Sequence, residues 1–257
     1  MPASEANRNP IRGLPRLATE TITGRLTVRE VFPPRQALAR GRGAMLLVSI
    51  ALVAFATILV LVRRNRSALF DLRVTRAIQG IRVPGFDRLM RIVSWPGFPP
   101  QSRVIPPLLS LLWLALGFPL EAVFQLMAWG AGGISTIVKR IMRRPRPTTP
   151  HVNVHPARIG GSSFPSGHVL IYTGVYGFLA FLVATLVRAD RIRRSIVAAL
   201  VALVALVGPS RIYLGHHWFT DVIASYLLGA SYLLALSALY RRVKTAWLNR
   251  RRGLAIR

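Results

Sequence analysis

Three short runs hold the residues best able to do nucleophilic or acid–base chemistry. All five histidines fall between His151 and His217. The first run, from Lys139 through Arg146 and Pro147, gathers cations. The second, Phe164-Pro165-Ser166-Gly167-His168, ends in a histidine. The third runs from Ser210-Arg211 to His217 and Asp221, the last acidic residue of the chain. Brought together, Lys139, Arg146 and Arg211 would form a site for phosphate or a similar oxyanion. Ser166 and Gly167 stand just before an expected helix, so their backbone N–H groups can point at an anion near the positive end of the dipole. Two histidines supply the rest, one to attack and one to protonate.

His217 and Asp221 are four residues apart at the mouth of a helix, hence on one face. Asp221 can then accept from one ring nitrogen and leave the other bare. His216 lies about 140° around the same helix from Asp221, which assigns the role to His217. His151 and His155 are also four apart, in a loop with Pro150 and Pro156. They lack a third metal ligand and read as a loop through which substrate enters, with Gly160-Gly161-Ser162-Ser163 as its flexible end. Of 35 basic residues, only Lys139 and Lys244 are lysine. A lysine kept in so arginine-rich a chain points to a need for a compact ammonium, chance retention being the alternative.

The elements that must position these runs are membrane helices. The chain has 257 residues, 52% of them hydrophobic and 17% charged, with a net charge of +27. That much apolar sequence excludes disorder, and the lack of cysteine excludes a disulfide scaffold. The arginines alternate with apolar blocks, as flanks of membrane spans do, which argues against nucleic acid as a partner. A crossing needs roughly 17 to 25 apolar helical residues. Ala44 to Val62, Ala122 to Val138, Val169 to Val187 and Val222 to Tyr240 meet this. Val104 to Phe118 and Ser195 to Gly208 are shorter, open between spanning and re-entrant, and the expectation is six crossings. Ala128 and Gly132 have the small-xxx-small spacing of helix packing.

The expected class is therefore all-α, a polytopic six-helix membrane bundle over residues 44–240 with short interfacial helices over 70–93. In the latter, Phe70, Val74 and Ile78 share one face and Arg73, Arg76, Gln79 and Arg82 the other, facing anionic lipid headgroups or simply packing on the bundle. Residues 1–43 read as a basic, mostly disordered cytoplasmic tail and 241–257 as a second basic cytoplasmic tail. The arginines around residues 35–42, at 188–194 and after Tyr240 assign one side to the cytoplasm, although the connection between the first two spans is Arg-rich too. Parity then matters. The first two runs are joined without a crossing, and the second and third by two crossings, so all three meet at one face outside the cytoplasm. If the fifth segment did not span, they would lie roughly 30 Å apart.

These runs resemble the signatures of the type 2 phosphatidic acid phosphatase superfamily: K-x6-R-P at Lys139 to Arg146-Pro147, P-S-G-H at Pro165 to His168, and S-R-x5-H-x3-D at Ser210-Arg211, His217 and Asp221. The resemblance spans roughly residues 70–240. It implies that His217, oriented by Asp221, attacks phosphorus to give a phosphohistidine, and that His168 protonates the leaving oxygen and later activates water. It further implies that Lys139, Arg146, Arg211, Ser166 and the Gly167 amide bind the non-bridging oxygens, with no metal or other cofactor. The expected substrate is a lipid phosphate: a polyprenyl diphosphate, phosphatidic acid or phosphatidylglycerophosphate. The expected location is the bacterial plasma (inner) membrane, with the site facing the periplasm or cell exterior. A lipid phosphotransferase is the nearest alternative; a vanadate-dependent haloperoxidase-like or non-catalytic membrane protein is more remote.

Overall fold

Runs of Leu, Val and Ala satisfy their backbone groups internally as helices, as a lipid environment requires. The computed structural model describes residues 34–157, 159–187 and 189–255. The expected tail over residues 1–33, and Arg188, lie outside the described residues. The elements are α1 (Pro34–Arg63), α2 (Ala68–Gln79), α3 (Phe86–Ser94), a 3₁₀ turn (Trp95–Gly97), α4 (Gln101–Ala115), α5 (Pro119–Ala128), α6 (Ala131–Met142), α7 (Gly167–Leu186), α8 (Asp190–Tyr213) and α9 (Phe219–Ala255). Among the described residues, four helices are long and apolar enough to cross a membrane: α1 over Arg42–Arg63, α7, α8, and α9 over Phe219–Asn249.

α1 begins ahead of the expected boundary at residue 44. It lies along α9, and its Met45, Leu46, Ile50 and Val53 are exposed, a surface suited to lipid rather than water. The segment Ser195 to Gly208 looked short because its charged start and Pro209 end lie outside the apolar count; it belongs to the 24-residue α8. Ala122 to Val138 is not one helix. It breaks between α5 and α6, where Gly130, Gly132 and Gly133 weaken the helix and the bonding tightens to Gly130 N–H→Met127 O (2.8 Å) and Gly133 N–H→Gly130 O (2.9 Å). The Tyr232 hydroxyl fixes this break by donating to the same Met127 oxygen at 2.5 Å. α4 runs for 15 residues straight through Pro106-Pro107.

α2 turns a polar stripe inward, Asp71, Thr75 and Gln79, while Leu69 and Phe70 are exposed. Gln79 was expected among the outward arginines. Its amide instead ties the loop before α7 to the end of α8: Nε2 donates to Asn153 O (2.6 Å) and Tyr213 O (2.9 Å), and Oε1 accepts from Asn153 N–H (3.0 Å). Loop backbone has no ladder of its own, so a polar helix face supplies its partners.

At the other end of the bundle, α9 continues through residues expected as a tail. Glu121 is buried there and accepts from Lys244 Nζ (2.6 Å) and the Tyr240 hydroxyl (2.7 Å). One apolar cluster, including Trp113, Phe124, Phe178 and Leu236, packs near this pair. A second, built on Tyr172, Val175, Val207, Ile212 and Val222, lies beneath the three chemistry-bearing runs. α7 carries a π-helical turn at Tyr172–Tyr176, and the Tyr172 hydroxyl donates to Val93 O at 2.7 Å. This ties the end of α3 to α7.

Candidate active site

α7 and α8 return the chain to the face it left, and the three runs converge there. The turn after α8 needs a glycine. Gly215 has φ +68°, and a Cβ on it would lie 2.1 Å from Asn153 O. This turn delivers His216 and His217 ahead of α9. The His217 Nδ1 lies 2.7 Å from the Ser163 carbonyl oxygen. A carbonyl only accepts, so Nδ1 carries the proton and Nε2 holds the lone pair. Nε2 faces Arg146 Nη1 at 3.3 Å. Burial, then the cations of Arg211, Lys139 and Arg146, hold the His217 imidazole well below its ordinary pKa of 6.5. His217 is therefore a neutral, oriented imidazole at physiological pH.

Asp221 does not bond His217 as the spacing had implied. Its Oδ2 is 3.6 Å from Nδ1, because His217 precedes the helix start at Phe219 and helical i,i+4 geometry does not apply. That oxygen instead accepts the Trp218 N–H at 2.9 Å and a short hydrogen bond from the Ser163 hydroxyl. Asp221 thus acts on His217 through Ser163. His216 points away: its Nε2 donates to His155 O at 2.9 Å, and burial followed by the Arg211 charge lowers its pKa to about 4.

The cations surround His217. Lys139 Nζ donates to Ser162 O at 2.6 Å. Arg146 donates to His216 O (2.8 Å), Gly160 O (3.1 Å) and Gly161 O (3.3 Å), so the glycine-serine stretch read as flexible is bound to two of the three cations. Arg211 is fully buried. It donates to Ser94 Oγ at 2.5 Å and lies 4.9 Å over the Phe98 ring, while its Nε and Nη2 have no partner. Two further orphans belong to the same region, Ser166 Oγ and His168 Nε2. Buried polar atoms without partners are uncommon and mark ligand sites. The Ser166 N–H, expected to face an anion, donates instead to Ser225 Oγ at 2.7 Å.

His168 is clamped by aromatic and backbone contacts. The Phe98 ring meets it edge-on at 4.6 Å, and a Cβ on Gly97 would lie 2.2 Å from its Cδ2, so a glycine is required there. Phe98 also packs against Arg211 and His216, making it the shared floor of the second and third runs. His155 stacks on Tyr213 and pairs with Asp87 at 3.4 Å, and His151 O accepts from Arg76; both pin the loop.

Residues 119–245 match the PAP2 superfamily. The chain carries a PAP2 superfamily domain. It is 26% identical over 179 residues to phosphatidylglycerophosphatase B of Bacillus subtilis (strain 168), covering 68% of this chain and 85% of that relative. Its fold is similar to the crystal structure of a transmembrane PAP2 type phosphatidylglycerolphosphate phosphatase from Bacillus subtilis, with a TM-score of 0.64, 22% identity, and coverage of 76% of this chain and 96% of the other.

The site also holds residues that the signatures did not single out. Arg144 Nη1 donates to Asp221 Oδ1 at 2.5 Å, and its Nη2 to Asp71 Oδ2 at 2.6 Å. Nothing in an arginine-rich run distinguishes Arg144 from its neighbours. Asp71, one of 8 acidic residues in the chain, carries only that rarity as a sequence signal; the structure buries it fully. Ser163, Ser94 and Phe98 had none beyond proximity in sequence to functional runs or turns.

Proposed function

We propose that this PAP2 protein is a membrane phosphatase that hydrolyses a phosphate ester or diphosphate on a lipid, with His217 as nucleophile and His168 as general acid and base. The observation that carries this reading is the His217 ring, locked at Nδ1 by a carbonyl, with its bare Nε2 directed at Arg146 among three cations. Nε2 attacks phosphorus, the bond to the leaving oxygen breaks, and His168 gives that oxygen its proton. Water then attacks the phosphohistidine, His168 takes the water's proton, and inorganic phosphate leaves as the Nε2 lone pair is restored. Lys139, Arg146, Arg211, Ser166 and the Gly167 amide hold the non-bridging oxygens, supplying the charge stabilisation that phosphoryl transfer needs. No step requires a metal.

A lipid is favoured over a soluble ester by a cleft of about 550 Å³ lined by Leu126, Met127, Trp129, Gly132 and Ile171. Ile171 lies one turn along α7 from His168, so an acyl or prenyl chain in the cleft brings its phosphate toward the histidines. The relative's name makes phosphatidylglycerophosphate the first substrate to try, ahead of phosphatidic acid and a polyprenyl diphosphate. The domain is read as six crossings, with α4 and the α5–α6 pair adding two to the four long helices, and with the site at the extracytoplasmic face of a bacterial plasma membrane. Phosphate release from these three lipids by the detergent-solubilised protein tests the reading, with His217→Ala as the blank. Release from at least one lipid, absent in the blank, is expected; no release from any lipid contradicts it.

A further inference from the structure

Arg144 differs from the other cations near His217 because its guanidinium is already committed. Both terminal nitrogens are spent on carboxylates, Asp221 and Asp71, with Thr220 Oγ1 at 2.8 Å and Ser67 Oγ at 3.2 Å as further acceptors. Its side chain is 11% exposed and the two carboxylates 1% or less. Two buried carboxylates thus share one guanidinium, which sits between them and hydrogen-bonds to both. Asp71 Oδ1 also accepts the Thr220 N–H at 2.8 Å, which sets its negative charge at the positive end of α9.

The backbone of Arg144 reaches the same target from the other side. Its N–H donates to Ser162 Oγ at 3.0 Å, and its carbonyl accepts the Ser163 N–H at 2.8 Å. Ser163 is therefore fixed twice: its N–H by the Arg144 carbonyl, and its hydroxyl by the Asp221 carboxylate that Arg144 holds. The carbonyl of Ser163 orients the nucleophile.

We propose that Arg144 and Asp71 are positioning residues for His217, acting through Asp221 and Ser163. This rests on the reading of His217 as nucleophile. The pair turns Asp221 so that Oδ2 meets Ser163 and Trp218, which holds the Ser163 carbonyl on Nδ1–H and keeps the lone pair on Nε2. If the carboxylate rotates, the tautomer is no longer fixed, and a proton on Nε2 removes the attacking lone pair. When Nε2 bonds phosphorus, Nδ1 keeps its proton and the new imidazolium charge is met by Ser163 O and the nearby Asp221. When water cleaves the N–P bond, Nε2 recovers its pair and Nδ1 is unchanged.

The test uses the full chain in detergent micelles with phosphatidylglycerophosphate as substrate and orthophosphate as competitive inhibitor. Arg144→Lys keeps the charge but cannot bridge two carboxylates. Asp71→Asn keeps the shape and removes one charge, and serves where the lysine variant does not fold. The expected result is a kcat lower by about ten- to a hundredfold, with KM and the phosphate inhibition constant within about threefold of wild type. A loss of folded protein alone would leave kcat per folded molecule unmoved. Wild-type kcat in either folded variant overturns the proposal, as does a phosphate inhibition constant that weakens as much as kcat falls. His217→Ala separates the two readings. Turnover by His217→Ala removes the nucleophile and this proposal with it; an inert His217→Ala beside wild-type kcat in Arg144→Lys and Asp71→Asn removes the positioning role alone.

Discussion

His217 donates its Nδ1 proton to the carbonyl of Ser163 at 2.7 Å, not to a carboxylate. The carboxylate of Asp221 stands one residue removed, gripping the Ser163 hydroxyl and lying 3.6 Å from the ring. This makes the serine before Phe164 part of the machinery that fixes the histidine tautomer.

Ser163→Ala tests that link without touching the carbonyl. Losing the hydroxyl frees the carbonyl to shift and leaves one Asp221 oxygen short of a donor. The expected outcome is a kcat lower by about tenfold with KM unchanged, in line with a displaced reacting group. Steady-state kinetics of the purified variant measure it, and equal losses in kcat and substrate affinity would point to damage in the phosphate cradle.

Arg211 offers a test of the proposed charge stabilisation. It is buried, anchored by Ser94 and Phe98, with two nitrogens unpartnered. Arg211→Ala is expected to lower kcat/KM by on the order of a hundred- to a thousandfold, about 2.7–4 kcal/mol. Ser94→Ala, which removes only the anchor, is expected to show a smaller loss of the same kind.

The pH dependence follows from His217. Its depressed pKa keeps the attacking form of the proposed mechanism populated below 6.5, so the acid limb of kcat/KM is expected below pH 6.5. Stability moves in the same direction. Both His216 and His217 have folded values below the unfolded 6.5, so between those values the unfolded chain binds more protons and stability falls as pH falls. Thermal midpoints are expected to drop between pH 6.5 and about 4, the folded value of His216. A midpoint that rises over this range would contradict the buried neutral imidazoles.

Much of the site was legible because rare residues stand out in a biased composition. Five histidines and two lysines in an arginine-rich chain drew attention to His168, His217 and Lys139, and the structure gathers them with Arg146 and Arg211. Gln79 was misread because its partners are the carbonyls of Asn153 and Tyr213, 74 and 134 residues away in sequence, which helical periodicity does not register. The α5–α6 break escaped an apolar count because glycine is neither polar nor charged. Arg144 was hidden by abundance: where most basic positions are arginine, only a partner can mark one of them, and Asp71 is 73 residues distant.

Lys244, the second lysine, makes a prediction remote from the chemistry. It is paired with Glu121 and lies next to Tyr240, and breaking a buried pair strands a charge. Lys244→Ala is expected to destabilise the protein by about 3–5 kcal/mol while leaving KM unchanged in the folded fraction. Melting curves and kinetics on the same preparation check both halves.

Activity is expected to survive EDTA, since in the proposed mechanism Lys139, Arg146 and Arg211 supply the positive charge that a metal would otherwise bring. Loss of turnover restored by one divalent cation would contradict this.

Trapping the covalent intermediate tests the central claim most directly. Rapid acid-free quenching of wild-type protein during turnover of phosphate-labelled phosphatidylglycerophosphate should yield a labelled chain whose phosphate is stable to alkali and lost in acid, mapping to the peptide that contains His217. His217→Gln should carry no label. Label retained in His217→Gln, or mapped to His168, would contradict the account.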